Sequence, residues 1–186
     1  MRLVIVGAQS TGKSTLAADL VERLPSARLE PEPFRVLRST LGLVSGADTM
    51  TPEHELALIE YNQRRLGAVR GQENVVYDRC ALDALAHARV ARTLGNEAFT
   101  SDWIKRLETE TDKALAVVDV VVLVRIGTDL PLMDDGVRST DESYRRRVDE
   151  EISTLAMKHA GFIEAKGDRQ ERVHNLAREL TARGWF

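Results

Sequence analysis

The sequence has few of the residues that build metal centres, disulfide frameworks or membrane spans. It contains one cysteine and four histidines among 186 residues, and their spacing fits no metal site. We expect the single cysteine, Cys80, to be a small buried side chain rather than a nucleophile. The longest apolar run, Ala114–Val124, is interrupted by Asp119 and is too short to cross a bilayer.

Positive charge is not in excess either. Lysine and arginine number 26 against 29 aspartate and glutamate residues, which gives a net charge of −3. Proteins that bind nucleic acid usually carry a basic field, which this balance does not provide. No signal peptide is visible, because the first predicted strand begins almost at Met1. These observations predict a soluble protein of the cytoplasm, a reducing compartment, without a nucleic-acid or membrane partner.

Strand-like and helix-like segments alternate along the whole chain. With 43% hydrophobic residues, we expect one domain over residues 1–186. The predicted strands are Arg2–Val6, Ala27–Glu30, Asn74–Tyr77, Val118–Val124 and Gly161–Glu164. The predicted helices are Lys13–Arg23, Pro33–Thr40, Pro52–Val69, Leu82–Leu94, Ser101–Ala116, Ser143–Lys158 and Arg169–Arg183. This alternation predicts an α/β fold, with a parallel sheet covered by helices on both faces.

The most specific motif lies between the first predicted strand and the first predicted helix. Residues 7–14 read GAQSTGKS, a complete G-x-x-x-x-G-K-S phosphate-binding loop. Its glycines let backbone N–H groups point inward at phosphate oxygens, and the following helix adds its positive end. In this pattern Lys13 reaches the β- and γ-phosphates and the Ser14 hydroxyl binds Mg²⁺. We therefore expect ATP and Mg²⁺ as ligands. The predicted nucleotide-binding residues are Gly7, Ala8, Gln9, Ser10, Thr11, Gly12, Lys13, Ser14 and Thr15.

A second acidic site follows the apolar residues 75–77. Asp78 ends a predicted strand, where a carboxylate can orient Mg²⁺ or its bound water. Arg79 comes next, at the position where a motor ATPase carries a glutamate that activates water. The pair therefore favours a nucleophile other than water, although a salt-bridged strand end is an alternative interpretation. The chain has no Asn-Lys-x-Asp motif, which disfavours a GTPase.

Residues 30–35, EPEPFR, follow the second predicted strand at the sheet edge where ligands bind in open α/β sheets. A carboxylate at this edge can accept the proton of an attacking hydroxyl, and an arginine can hold the substrate. We assign these roles to Glu32 and Arg35. The alternative is an exposed turn.

Basic residues in the last third of the chain are candidates for contacts to the nucleotide. We expect a lid at about residues 131–147, whose Arg138 adds positive charge near the transferring phosphoryl group. One of the arginines at 145–147 can join it, but for most of them a solvated helix face is favoured. Near the last helix, Arg172 or Arg169 either stacks on adenine or belongs to an ordinary capped helix.

Together these stretches resemble the P-loop nucleoside-kinase-like family. That family includes the ribosylnicotinamide kinase domain of the bifunctional NAD-biosynthesis regulators and is often described only as AAA-domain ATPases or predicted kinases. The resemblance spans nearly the whole chain and implies a sheet order of 2-3-1-4-5. By position, Glu32 matches the acid of the family's Glu-x-x-Arg stretch, Asp78-Arg79 matches its Asp-Arg after the third strand, and Asp83 would face the substrate. The stretches that carry it are Val4–Thr15, residues 32–35, residues 76–85, residues 134–138 and Gly167–Arg172.

The resemblance implies transfer of the ATP γ-phosphate to a hydroxyl of a nucleoside-like or other small molecule, with ribosylnicotinamide as one candidate. We expect no adenylyltransferase domain like that of those regulators. The aromatic residues that could sandwich a base, Phe34, Tyr61 and Tyr77, could equally be core. The main rival is an ATP-binding switch or ATPase module that regulates a partner protein. A nucleic-acid end kinase is a third option, which the acidic balance disfavours. The oligomeric state is open, with a homodimer among the possibilities.

Overall fold

The computed structural model describes residues 1–24, 26–43, 49–69, 73–127 and 141–185. Within them the strands are β1 (Arg2–Val6), β2 (Ala27–Glu30), β3 (Asn74–Asp78), β4 (Val120–Leu123) and β5 (Phe162–Glu164). The helices are α1 (Lys13–Arg23), α2 (Pro33–Leu41), α3 (Pro52–Gly67), α4 (Ala81–Thr93), α5 (Ser101–Leu115), α6 (Glu142–Ala156) and α7 (Arg169–Ala182). None of these helices is long and apolar enough to cross a membrane.

The five strands form one sheet in the order β2-β3-β1-β4-β5, with every neighbouring pair parallel. This confirms the predicted α/β fold and strand order. In the register, Ile5 lies beside Asp78, and Val6 lies beside Leu123. The carboxyl ends of the three central strands therefore meet at one edge. The phosphate-binding loop leaves β1 at this edge, which is where open α/β sheets bind ligands.

The side chains of β1 point alternately to the two faces of the sheet, and each face has its own hydrophobic core. Val4 and Val6 pack on the face covered by α3, α4, α5 and α6, whereas Leu3 and Ile5 pack against α1 and α7. All four side chains are fully buried. A strand buried on both faces has a continuous apolar sequence, which explains why β1 was recognisable without an amphipathic pattern.

Every predicted helix and strand is present, and the differences lie at the ends. The strand predicted over Val118–Val124 is shorter, because Val118 N–H donates to the Leu115 carbonyl and continues the turn after α5. Thr51 and Asp168 cap α3 and α7 through their side-chain oxygens. Of the lid predicted at about residues 131–147, residues 131–140 lie outside the described part of the chain, and the remainder forms the N-cap and first turns of α6.

Candidate active site

The backbone of the phosphate-binding loop requires glycine at two positions. Gly7 has a φ of 150°, and a Cβ at this position would collide with the carbonyl oxygen of Val124. Gly12 is left-handed, with a φ of 87°, and no side chain among the described residues caps α1 at this point. The loop therefore leads directly into a helix N-terminus, where free N–H groups and the helix dipole favour an anion.

Two arginines from distant helices hold the carbonyl groups of this loop. Arg145 on α6 is buried and donates to the carbonyl oxygens of Gln9 (3.0 Å) and Ser10 (3.1 Å). Arg172 on α7 donates to the Thr11 carbonyl at 3.0 Å. Because the peptide N–H groups of such a loop face inward, its carbonyls face outward and need donors of their own. These two side chains supply them.

The lysine of the motif is buried, and its pKa is close to neutral pH. Lys13 Nζ donates to the Ala8 carbonyl and, at 3.3 Å, to Thr11 Oγ1. Burial, and then the nearby Arg79 guanidinium, lowers the pKa of Lys13 to about 7. An anion placed in the loop would restore the charged form.

Asp78 and Ser14 together form a site that fits a hard cation. Ser14 Oγ donates to Asp78 Oδ2 at 2.5 Å, whereas Asp78 Oδ1 is buried with no hydrogen-bond partner among the described residues. A buried carboxylate oxygen without a partner is costly, and a cation beside it would offset that cost. Those residues contain no cluster of three or more acidic, histidine or cysteine side chains that could hold a metal alone. The site therefore fits Mg²⁺, which usually keeps one or two protein ligands and takes the rest from phosphate and water.

Arg79 connects the phosphate-binding loop to two carboxylates. Its backbone is left-handed, with a φ of 67°, at the turn between β3 and α4. Its guanidinium contacts Glu32 Oε1 (2.7 Å), Asp83 Oδ1 (2.9 Å) and the Gly7 carbonyl (3.2 Å). Burial lowers the pKa of Arg79, but Glu32 and Asp83 more than offset this, so the net shift is upward and the side chain stays charged. The alternative interpretation of a salt-bridged strand end therefore describes Arg79, but not Asp78.

Arg65 on α3, which the sequence did not single out, fixes the backbone on both sides of the Glu32–Arg79 ion pair. It donates to the Pro31 carbonyl at 2.8 Å and to the carbonyl of Arg79. It is buried, and its guanidinium lies 4.9 Å from the centre of the Tyr77 ring. Tyr77 is thus a core residue beneath Arg65, not a wall of an open pocket.

A cleft of about 590 Å³, counting its open mouth, lies between α2, α3 and α4 next to Arg79. One part of its lining is charged, with Glu32, Arg79 and Asp83. Another part is apolar, with residues such as Phe34 and Leu58. A flat, mostly apolar ring carrying a polar group at its end would match this lining.

The structure brings most of the sequence-predicted residues to this edge of the sheet. Residues 7–15 form the loop and first turn of α1. Arg35 lies outside the cleft lining, with its side chain 63% exposed and its Nε 3.1 Å from Glu32 Oε2. Arg138 lies outside the described residues. Cys80 is buried, and burial raises the pKa of its thiol to about 12, which agrees with the expected small core side chain.

The model of the AAA domain family matches residues 2–172 of this chain. No protein of curated function matches the sequence. The NadR protein in complex with NR superposes with a TM-score of 0.73 at 20% identity, over 97% of this chain and 51% of NadR. This chain therefore spans about half the length of NadR.

Two kinases match over most of their own length. Deoxyadenosine kinase from M. mycoides with bound dATP superposes with a TM-score of 0.75 at 16% identity, covering 97% of this chain and 99% of that one. Thymidylate kinase from Candida albicans gives 0.71 at 13%, covering 98% and 92%. The chain belongs to the AAA domain family, whose model matches most of its length.

Proposed function

We propose that this protein is an ATP- and Mg²⁺-dependent kinase that transfers the γ-phosphate to a hydroxyl of a nucleoside-like small molecule. The observation that carries the proposal is the cleft beside the phosphate-binding loop, in which the buried carboxylate of Glu32 is oriented by Arg79. NadR in complex with NR and deoxyadenosine kinase with dATP share this fold, which supports the same class of chemistry.

Residues 7–15 would hold the phosphates of ATP, with the Lys13 ammonium at the β- and γ-phosphates. Ser14 and Asp78 would hold Mg²⁺, which neutralises charge on the β- and γ-phosphate oxygens when bound. Arg172 would lie along the nucleotide, near the adenine, and Arg138 would add charge at the transferring group.

Glu32 would accept the proton of the acceptor hydroxyl. The hydroxyl oxygen then attacks the γ-phosphorus, and the bond from that phosphorus to the β–γ bridging oxygen breaks, releasing ADP. Glu32 Oε1 is fixed by buried Arg79, whereas Oε2 contacts exposed Arg35, which an acceptor hydroxyl can replace. In this role Arg35 holds the acceptor at the cleft mouth, and Arg79 and Asp83 line the acceptor site.

Arg79 also argues against water as the nucleophile. It follows Asp78 directly, at the place where a hydrolytic ATPase would carry a base, and its guanidinium is already engaged by Glu32 and Asp83. A cation in that position cannot take a proton from water.

Binding of nucleotide at pH 8 should take up nearly one proton. With a pKa near 7, Lys13 is mostly neutral at pH 8 before binding, and phosphate oxygens around it would stabilise the ammonium form. Calorimetric titration with ATP in two buffers of different ionisation enthalpy measures this uptake. Lys13→Arg, whose guanidinium does not titrate, should bind without it. Equal heats in both buffers for the parent protein would contradict the prediction.

The proposed reaction is tested with a panel of nucleosides and other small hydroxyl compounds, using ATP labelled in the γ-phosphate. We expect a phosphorylated acceptor whose formation outpaces ATP hydrolysis in its absence. Rapid hydrolysis of ATP alone, with no phosphorylated product from any acceptor, would instead favour the ATPase or switch module.

A further inference from the structure

The cleft contains a buried carboxyl group that the proposed reaction does not use. Glu55, in the first turn of α3, is 6% exposed and lines the same cleft as Glu32 and Arg79. Its carboxyl group makes no hydrogen bond or ion pair with any residue that the structure describes. Burial alone raises the pKa of Glu55 to about 8. Such a group destabilises the empty protein unless a ligand supplies its missing donor.

Among the described residues, no cation pairs with the Glu55 carboxyl group. The charged groups nearest the cleft on the neighbouring α4 turn are Arg79, which is engaged by two carboxylates, and Asp83. His87 also lines the cleft, and its Nδ1 is 2.7 Å from the Tyr144 hydroxyl of α6. Burial, and then the charge of Glu55, raises the pKa of that phenol, which places Glu55 on the Tyr144 side of the cleft.

The part of the cleft near Tyr144 and the part that holds Glu32 and Arg79 lie at different positions along α4. Asp83, which pairs with Arg79, and His87 are four residues apart, a rise of about 6 Å along the helix. A nucleoside has its reactive hydroxyl on the sugar and its polar ring groups at the opposite end. If the hydroxyl lies at Glu32, the ring extends between apolar side chains such as Phe34, Met50 and Leu58.

We propose that Glu55 selects the acceptor by accepting a hydrogen bond from an amino group on its ring, so that the cleft prefers amino-bearing nitrogen heterocycles. An amino group presents only N–H donors to the carboxyl, whether that carboxyl is protonated or ionised. An oxo group at the same ring position presents only lone pairs, which an ionised carboxylate repels but a protonated carboxyl group can bind by donating its O–H. The preference is therefore expected at pH 9, above the Glu55 pKa of about 8, where the carboxylate form predominates. This inference rests on the proposed kinase function.

The test compares nucleosides that differ only by amino or oxo at one ring position, adenosine with inosine and cytidine with uridine. At pH 9, where Glu55 is ionised, we expect the parent protein to favour the amino member by about tenfold or more in kcat/KM, since one lost polar contact of this kind leaves a buried group unpaired. Glu55→Leu should lower kcat/KM for the amino member by about tenfold or more, mainly through KM, with the KM for ATP unchanged. Glu55→Gln, whose amide donates as well as accepts, should narrow the gap by admitting the oxo member.

Glu53→Gln is the matched control, because Glu53 is in the same helical turn but exposed, and it should change neither preference nor rate. If Glu55→Leu does not fold, the test uses Glu55→Gln, whose side chain has nearly the same shape as that of glutamate. Equal rates for amino and oxo members, unchanged by Glu55→Gln, would overturn this inference and leave the kinase function standing. Phosphorylation of no nucleoside at all would overturn both.

Discussion

Replacing Lys13 with alanine should lower kcat for phosphoryl transfer by about 10³-fold or more, while the protein stays folded. The ammonium group is enclosed by the loop, where a fixed cation aimed at developing negative charge is worth far more than in water. Its loss should not destabilise the fold, because burial of that ammonium is itself unfavourable, as its lowered pKa indicates. Product formation from labelled ATP and a thermal unfolding midpoint measure the two effects.

Lys113→Ala is the control for removing a lysine. Lys113 lies on α5, is mostly exposed and pairs with Glu110, so its loss should leave kcat within about twofold. If Lys13→Ala kept more than about a tenth of the parent kcat, the phosphates would not lie where the loop motif predicts.

The helices, the strands and the phosphate-binding loop could be predicted from the sequence because the patterns that indicate them are local. The continuous apolar run of β1, the GAQSTGKS loop and the apolar spacing of α1 follow one another within 23 residues. Each signal needs only its neighbours to be interpreted. The strand order 2-3-1-4-5, by contrast, came from the family resemblance.

The side chains that fix the site were harder to find, because their partners are distant in sequence. Arg145 is 136 residues from Gln9, whose carbonyl it holds. In the sequence it is one of three consecutive arginines, and only the helical period separates them. Tyr144, Arg145, Val148 and Asp149 fall on the buried stripe of α6, whereas the arginines at 146–147 face solvent.

The same signal was available on α3. Glu55, Asn62 and Arg65 recur at helical spacing on the stripe that also carries Leu58 and Leu66, and all are buried. Polar residues on an apolar stripe are unusual, because each one needs a partner or a ligand. The structure separates the two outcomes: in the part of the chain that it describes, Arg65 donates to Asn62, Pro31 and Arg79, whereas Glu55 faces the cleft with no hydrogen-bond or ion-pair partner.

Replacing Glu32 with glutamine should lower kcat by about 10²–10⁴-fold, the range expected for loss of a general base, and leave the KM for ATP nearly unchanged. The amide keeps the shape of the carboxylate but cannot take the proton of the acceptor hydroxyl. Arg79 would stay in place, because it keeps Asp83 and the Gly7 carbonyl as partners. Steady-state kinetics with a saturating acceptor measure the change.

Glu30→Gln is the matched control, two residues earlier at the end of β2, where Glu30 pairs with exposed Arg28. That variant should keep kcat within about twofold, because a surface ion pair contributes little. If the Glu32→Gln variant kept nearly full kcat, a group other than Glu32 would have to be the general base.

Asp83 is the other carboxylate beside Arg79, and its geometry explains why it is not expected to be the base. Its Oδ1 accepts from Arg79 (2.9 Å) and from the Gly7 amide (3.4 Å), and its Oδ2 accepts from the Cys80 amide at 3.0 Å. Both oxygens are therefore committed to holding the loop and the start of α4. Glu32 differs because its second oxygen contacts Arg35, an exposed side chain that an acceptor hydroxyl can replace. Loss of activity in Glu32→Gln with normal ATP affinity is the result that this difference predicts.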